Sequence, residues 1–517
     1  MGEDNSRSIE LDVDDLERFK LRYSLGQDDG RGSKHFLRIK VTEGAVSSRQ
    51  LTEIARLSDE YGRGKAWITD RQSIQLHWIE GRHAPEIFSR LEEIGFTTDK
   101  CGQAYPAPGY GDVRNICACP VAGYEKGEKI DVRPLVKEMN DFFIGNEDFL
   151  DMPKKFKISI SACEIDCVRS QMQDLGLFTI ERERRPGFGA VIGGSLGVAQ
   201  PGAVIGKPLN VFIEPDEVFE VAKNMAEIHR DHSSTESVAK ARFKQLVREW
   251  GVEKIRSKLE EKLGRKLERL KYSGPEVSGR EHVGVQEQKD GNFYINIPVL
   301  GGGLSSEQLR RAAEIAEEYG SGDLRTTPYQ NLILLNVAEE SLDGALTELK
   351  KTGLSVEGSR LRWESVGCAS DFCASSPEYH PKAVAREIIE HLEKNVGKEL
   401  EDYRMKIGVS GCPRDCGLKG PSDIGLLGAS TGNDGVGSEE YRLYIGGRFG
   451  ADPRFSKALD GERSVDDIKI MLRTLVEKSL EEEHDDFQEL WKELSSQELK
   501  EIAELEVEGK WEEKKST

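Results

Sequence analysis

Residues Phe156-Lys157-Ile158-Ser159-Ile160-Ser161-Ala162-Cys163-Glu164-Ile165-Asp166-Cys167 reappear 249 positions later as Met405-Lys406-Ile407-Gly408-Val409-Ser410-Gly411-Cys412-Pro413-Arg414-Asp415-Cys416. In both copies an apolar run reads as a strand that ends in a turn carrying two cysteines. Working outward, Thr69-Asp70-Arg71-Gln72-Ser73-Ile74 resembles Thr327-Pro328-Tyr329-Gln330-Asn331-Leu332. The glycine turn Gly193-Gly194-Ser195-Leu196-Gly197 resembles Gly446-Gly447-Arg448-Phe449-Gly450. Three matches in one order, at offsets of roughly 250 residues, identify a fused duplication. A pseudo-twofold axis then relates the halves, and a ligand shared by both belongs between them.

Each half opens on the same coarse pattern. His35 to Val41 and Asn292 to Pro298 alternate as strands, and Ser48 to Tyr61 and Ser306 to Tyr319 carry apolar residues at helical spacing. Ala66 to Ile79 and Leu324 to Val337 read as strands again, and Ala84 to Ile94 and Leu342 to Lys351 as helices. This β-α-β-β-α order is half of a ferredoxin-like sheet. The fold class expected is α+β: a duplicated chain with two ferredoxin-like half-sheets and two α/β domains. Five segments follow: an extension over 1–30, half-sheets over 31–100 and 286–358, an α/β domain with a helical linker over 101–285, and an α/β domain with a charged tail over 359–517. Ser237 to Tyr272, dense in Lys, Arg and Glu, reads as solvated helices bridging the halves, and the tail from Leu494 as frayed.

Composition excludes several classes of function. The chain has 517 residues, 37% hydrophobic and 32% charged, which supports several packed cores rather than disorder. Its longest apolar runs, such as Leu332 to Leu335, are far shorter than the roughly 20 residues of a membrane span. The acidic start MGEDNSRSIELDVDD lacks the apolar stretch of a signal peptide, so a cytoplasmic location is expected. A net charge of −20 with no basic stripe argues against nucleic-acid binding.

In the cytoplasm cysteines stay reduced, and clustered ones are metal or redox groups more often than disulfides. Eight of the nine fall into two quartets: Cys117, Cys119, Cys163 and Cys167, and Cys368, Cys373, Cys412 and Cys416. Cys101 stands apart and reads as a small buried side chain. Two pairs of thiolates from two loops suit either a tetrahedral zinc or a cubane iron-sulfur cluster, and spacing alone does not choose.

With these motifs in place the chain resembles the sirohaem-dependent sulfite and nitrite reductases, from about His35 to about Ser456. Thr69-Asp70-Arg71-Gln72 is similar to that family's T-x-R-Q strand, and Val113-Arg114-Asn115 to its R-N turn. Pro153-Lys154-Lys155-Phe156-Lys157 is similar to its P-R-K-F-K segment, with Lys154 in place of the arginine. The resemblance implies a [4Fe-4S] cluster on Cys368, Cys373, Cys412 and Cys416, with Cys416 shared with the sirohaem iron. It departs at the first pair, which encloses four residues here and five in the family. The first-half quartet is then either a relic of duplication or the holder of a second cluster.

The resemblance also implies catalytic cations at Arg71, Arg114, Lys155 and Lys157, and sirohaem contacts from Arg71, Gln72, Asn115, Thr327, Gln330, Asn331 and Cys416. Such cations bind anionic oxygens, and lysines can supply protons as water departs. Glycine turns at Gly193 to Gly197 and Gly446 to Gly450 would let backbone N–H groups approach the macrocycle's carboxylates. The expected reaction is the six-electron reduction of sulfite to sulfide, with nitrite to ammonia as the alternative and a zinc-stapled binding protein as the reading from another class. Lys157 stands where nitrite-reducing members tend to carry asparagine, which favours sulfite. The chain has no P-loop, no dinucleotide fingerprint and no ferredoxin cysteine run, so electrons come from an external donor such as ferredoxin. Lys254 to Lys271 is the one basic stretch by composition, and it reads either as a donor-docking patch or as a salt-bridged helix surface.

Overall fold

The computed structural model describes residues 34–97, 111–163, 165–197, 202–275, 282–369, 376, 378–429, 439–450, 452–495 and 497–498, and the backbone of Leu25–Gln27. In the first half, β1 (Leu25–Gln27) and β2 (Lys34–Ile39) are followed by β3 (Ala45–Ser47), the helix Ser48–Tyr61, β4 (Lys65–Ile68), β5 (Ile74–Glu80) and the helix Ala84–Glu93. The helix Ser48–Tyr61 starts where the Ser47 hydroxyl accepts from Gln50 N and the Gln50 carboxamide accepts from Ser47 N. Its buried side chains Leu51, Ile54, Ala55 and Ser58 recur at helical spacing and face the sheet.

The Thr69–Ser73 segment is the tip of the β4–β5 hairpin. Thr69 Oγ1 accepts from Arg71 N at 3.3 Å and Ser73 N at 3.1 Å, which folds the tip and places Gln72 at φ 58°.

An α/β unit follows. β6 (Cys117–Ala118), β7 (Ile158–Ile160) and β8 (Leu175–Arg182) run parallel, and β9 (Arg185–Ile192) and β10 (Lys207–Pro208) complete the sheet antiparallel. A two-strand ladder of β11 (Val211–Phe212) with β12 (Glu268–Arg269) closes it off. The helix Phe243–Leu263, kinked at Gly251, buries Phe243, Leu246, Val247, Ile255 and Leu259 in this unit's core. It is a packed element of the first half rather than a solvated bridge.

The second half repeats the plan: β13 (Gly284–Glu287), β14 (Phe293–Ile297), β15 (Gly303–Ser305), the helix Ser306–Tyr319, β16 (Asp323–Thr326), β17 (Leu332–Val337) and the helix Leu342–Lys351. β18 (Val366–Gly367), β19 (Ile407–Ser410) and β20 (Ile424–Gly428) are parallel, and β21 (Glu440–Ile445), β22 (Lys457–Ala458) and β23 (Arg463–Ser464) are antiparallel.

The short strands are exchanged between the halves. β3 pairs with β16, Leu324 opposite Val46, and β15 pairs with β4, Leu304 opposite Ala66. Each half therefore completes the other's sheet. Ser48 Oγ donates to Glu317 and Ser306 Oγ to Asp59 across the same axis. One core runs through both ferredoxin-like halves, and each α/β unit has its own.

Candidate active site

In open α/β sheets ligands gather beyond the carboxyl ends of parallel strands. β18 and β19 run in register, Val366 opposite Gly408 and Gly367 opposite Val409, so the segments that follow them emerge side by side. Cys368 follows β18: its N–H donates to Val409 O at 3.0 Å, and its Sγ accepts from Gly411 N at 3.3 Å. Cys412 and Cys416 lie in the turn after β19. That turn is held by buried Asp415, at φ 56°, whose carboxylate accepts from Ser410 Oγ at 3.1 Å, Lys419 N at 2.7 Å and Gly420 N at 3.0 Å.

Cys416 is open at its surface yet deep within the protein's field. Burial, then the neighbouring Cys368, Asp70 and Cys412, push its thiol up to about 12, against the pull of Lys155. A coordinating metal deprotonates such a thiol outright, and an all-sulfur donor set suits an iron-sulfur cluster. Cys373, the fourth candidate, lies outside the described residues, as do Cys101, the N-terminal extension up to Leu25 and the tail beyond 498.

The first half supplies the cations. Lys155 and Lys157 flank buried Phe156 at the entry to β7, and Lys157 N donates to Asp174 Oδ2 at 3.0 Å. Arg71 projects from the β4–β5 hairpin tip; its guanidinium donates to Gln173 Oε1 at 2.8 Å and to the Asn115 carbonyl, and its buried Nε has no partner among the described residues. Arg114 is buried against Asp112 at 3.0 Å. Burial, then Arg71, lowers Lys157 to about 8, and burial, then Lys157, Arg242 and Arg114, holds Lys155 well below the usual lysine range. Arg71, Arg114, Lys155, Lys157 and Arg242 thus share one field in which like charges oppose one another. Such mutual repulsion is relieved by an anion, so the cluster fits a polycarboxylate macrocycle or an oxyanion.

Arg242 carries no motif signal. It comes from the segment before the helix Phe243–Leu263, and its Nη2 bonds both Asp174 carboxylate oxygens at 3.3 Å. Asp174 thereby links Lys157 to Arg242.

Several residues expected to touch sirohaem are hydrogen-bonded within the protein. Gln72 donates to Thr326 O at 3.1 Å and to Glu43 O, and accepts from Ala118 N at 2.9 Å. Thr327 Oγ1 accepts from Tyr329 N and Asn331 N, mirroring Thr69. Asn331 spans Val299 N and Trp363 O. Asn115 donates to Val41 O and Arg71 O. These four fix the two hairpin tips; Asn115 Oδ1 and Gln330 Oε1 remain buried acceptors without a partner among the described residues.

The glycine turns are likewise committed. Gly193 N and Gly194 N donate to Asp174 O and Gln173 O, and Gly446 N and Gly447 N to Asp423 O and Ser422 O. Their missing Cβ atoms admit backbone: a side chain at Gly194 would strike Gln171 O, and one at Gly447 would strike Gly420 O. These N–H groups are therefore not available to a macrocycle's carboxylates.

The first-half cysteines divide. Cys117 pairs with Ser159 across β6 and β7, which makes it the counterpart of Val366, while Cys119 N donates to Ile160 O as Cys368 N does to Val409 O. Cys119, Cys163 and Cys167 are thus the equivalents of Cys368, Cys412 and Cys416. Cys117 is left out of the set, contrary to its expected membership, because strand register rather than sequence spacing decides equivalence. His282 joins the other three.

The basic stretch is ion-paired: Lys258 to Glu261, Lys262 to Glu227, Arg265 to Glu217, and Lys266 and Arg269 to Glu260. Most of it is thus a salt-bridged surface, with Lys254 set over the Trp250 ring. Among the described residues no helix is long and apolar enough to cross a membrane.

Two family profiles match the chain. The nitrite and sulphite reductase 4Fe-4S domain covers residues 109–267 and 363–482, and the nitrite/sulfite reductase ferredoxin-like half domain covers 27–94 and 285–352. An assimilatory ferredoxin-dependent nitrite reductase of Haloferax mediterranei is 32% identical over 92% of this chain and 85% of its own. A ferredoxin sulfite reductase of Mycolicibacterium paratuberculosis is 32% identical over 82% of this chain and 75% of its own. The structure of the Mycobacterium tuberculosis NirA protein superposes with a TM-score of 0.85 at 26% identity, over 94% of this chain and 91% of that one.

Proposed function

The chain belongs to the nitrite and sulfite reductase family, whose cofactors are sirohaem and a [4Fe-4S] cluster, and on that footing we propose that it is a ferredoxin-dependent sulfite reductase. When bound, the sirohaem and cluster supply an anion-binding iron and a path for electrons. Reduction of sulfite to hydrosulfide consumes six electrons and seven protons and releases three waters. Cys368, Cys412 and Cys416, with Cys373, are the proposed cluster ligands; Arg71, Arg114, Lys155 and Lys157 are the proposed anion-binding cations.

The observation that carries this reading is the pair Lys155 and Lys157 at the entry to β7, both lowered from the usual lysine range, with Lys155 in the field of Cys416. A lysine near 8 is charged when an anion arrives and gives up a proton more readily than an ordinary one. The Lys157 ammonium backed by Arg71, Arg114 and Arg242 suits a dianion better than a monoanion. Asp174 acts through others: it anchors Lys157 N and holds Arg242, so it is a positioning residue. The relatives' names supply ferredoxin as the donor class, and the location proposed is the cytoplasm.

Nitrite is the second reading, favoured by the Haloferax relative, which spans 92% of the chain. Steady-state kcat/KM of the cofactor-loaded enzyme for each anion, with a reduced viologen as donor, separates the two. A higher value for sulfite is expected; a higher value for nitrite overturns the assignment.

A further inference from the structure

The second-half cysteines have a family role, whereas the buried group at the equivalent place in the first half has none. Cys119 follows β6, Cys163 and Cys167 lie in the turn after β7, and His282 comes from the segment before β13. His282 Nε2 stands 3.4 Å from Cys119 Sγ and 3.8 Å from Cys163 Sγ, and the three donor atoms lie within 4.8 Å of one another. Cys167, in the same turn as Cys163, also interacts with Cys119 and His282; its Sγ lies more than 4.8 Å from at least one of the three donor atoms, and a side-chain rotation brings it onto a shared ion. All four side chains are buried.

We propose that Cys119, Cys163, Cys167 and His282 hold one zinc ion in a closed tetrahedral site. Zn–S bonds of about 2.3 Å and Zn–N bonds of about 2.0–2.1 Å at tetrahedral angles separate sulfur from nitrogen by about 3.5 Å. The two observed separations bracket that value. A cubane gives each thiolate its own iron at a separate corner, so its ligands stand much farther apart than donors sharing one atom. The contraction of Cys119, Cys163 and His282, and the replacement of one thiolate by imidazole, therefore select a single ion over a second cluster.

The surroundings are those of a metal-bound histidine. His282 Nδ1 lies 3.2 Å from Glu125 Oε2 and 3.3 Å from the Tyr294 hydroxyl, which itself donates to Glu125 Oε2 at 2.9 Å. Donating Nδ1–H to the carboxylate leaves the Nε2 lone pair facing the thiolates, and the carboxylate fixes the ring and raises its basicity. Between the two turn cysteines, Asp166 accepts from Ser170 N at 2.9 Å and from Ser170 Oγ at 2.9 Å, so the turn is shaped without the ion. Three sulfurs and one nitrogen close the coordination sphere and leave no position for substrate, which makes the ion structural. It ties the carboxyl edge of the first α/β sheet to the chain that enters the second ferredoxin-like half.

The test uses the full-length, cofactor-loaded enzyme, dialysed against EDTA. Metal analysis is expected to find about one zinc per chain in addition to the iron. Zinc K-edge absorption should fit three sulfurs at about 2.3 Å and one nitrogen at about 2.0–2.1 Å. His282→Ala and Cys163→Ser should lower bound zinc at least tenfold with iron per chain unchanged, and Cys117→Ser should retain it. Absence of zinc from the wild-type enzyme, a zinc shell of four sulfurs or of nitrogen and oxygen alone, or iron and sulfide that vanish with Cys163→Ser would overturn the proposal. The wild-type absorption decides even where a variant does not fold, and none of these readouts depends on which anion is reduced.

Discussion

Replacing Lys157 with asparagine removes one positive charge from the proposed anion site at nearly constant backbone geometry, since Lys157 N keeps Asp174. Two unit charges at 4 Å interact by about 4 kcal/mol at an effective dielectric of 20, and partial solvent screening reduces this to roughly 2 kcal/mol. At pH 7 a lysine lowered to about 8 is still roughly nine-tenths charged, so almost all of this is present in the wild type. A monoanion loses that interaction once and a dianion twice. With about 1.4 kcal/mol per factor of ten, kcat/KM for nitrite should fall roughly 30-fold and for fully ionised sulfite up to roughly 1,000-fold. The assay is steady-state turnover of both anions with a reduced viologen at one ionic strength. Equal losses for the two anions, or no loss for either, would refute the charge argument.

Lys157 is lowered from the usual lysine value to about 8, so its charge is complete below that pH and lost above it; KM for the anion should rise as pH passes about 8, and Lys157→Arg should flatten that rise. Cys416→Ser should reduce bound iron and alter the visible spectrum of the reconstituted enzyme, and an unchanged spectrum would remove Cys416 from the proposed ligand set. Gln171 exchanges two hydrogen bonds with the Gly450 backbone, at 2.8 and 2.9 Å, across the halves. Gln171→Ala should cost about 1–3 kcal/mol, read as a fall of a few degrees in the melting temperature. Gly44 sits at φ 74° with the Thr326 carbonyl against it, and Gly44→Val should abolish soluble expression by breaking the strand exchange.

The duplication was legible because both halves need the same local chemistry: a Ser-x-x-Gln cap at Ser47 and Ser305, a threonine-folded tip at Thr69 and Thr327, and an Asp-stapled cysteine turn at Asp166 and Asp415. The exchange of β3 and β15 was not, since three-residue strands carry no record of which sheet they join. Cys117 and Cys119 were assigned together because they adjoin in sequence, whereas register places Cys119 at the corner and Cys117 one pair short of it. His282 lies 163 residues from Cys119 and has no motif around it, so only the fold brings them together. Arg242 was hidden for the same reason. Gln72, Thr327 and Asn331 show a limit of motifs: a motif marks residues that matter without saying whether they touch a ligand or, as their hydrogen bonds here do, hold the backbone around it.

The reciprocal loan of β3 and β15 has a consequence for how this protein can move and be cut. Neither half owns a finished sheet, so no hinge can part them without stripping a strand from each, and anions must reach the interior past side chains and loops. A fragment ending before Gly303 would display β4 as a bare edge while offering β3 to a stranger. Two such fragments would satisfy each other, and the expected product of truncation is a swapped dimer rather than a working half.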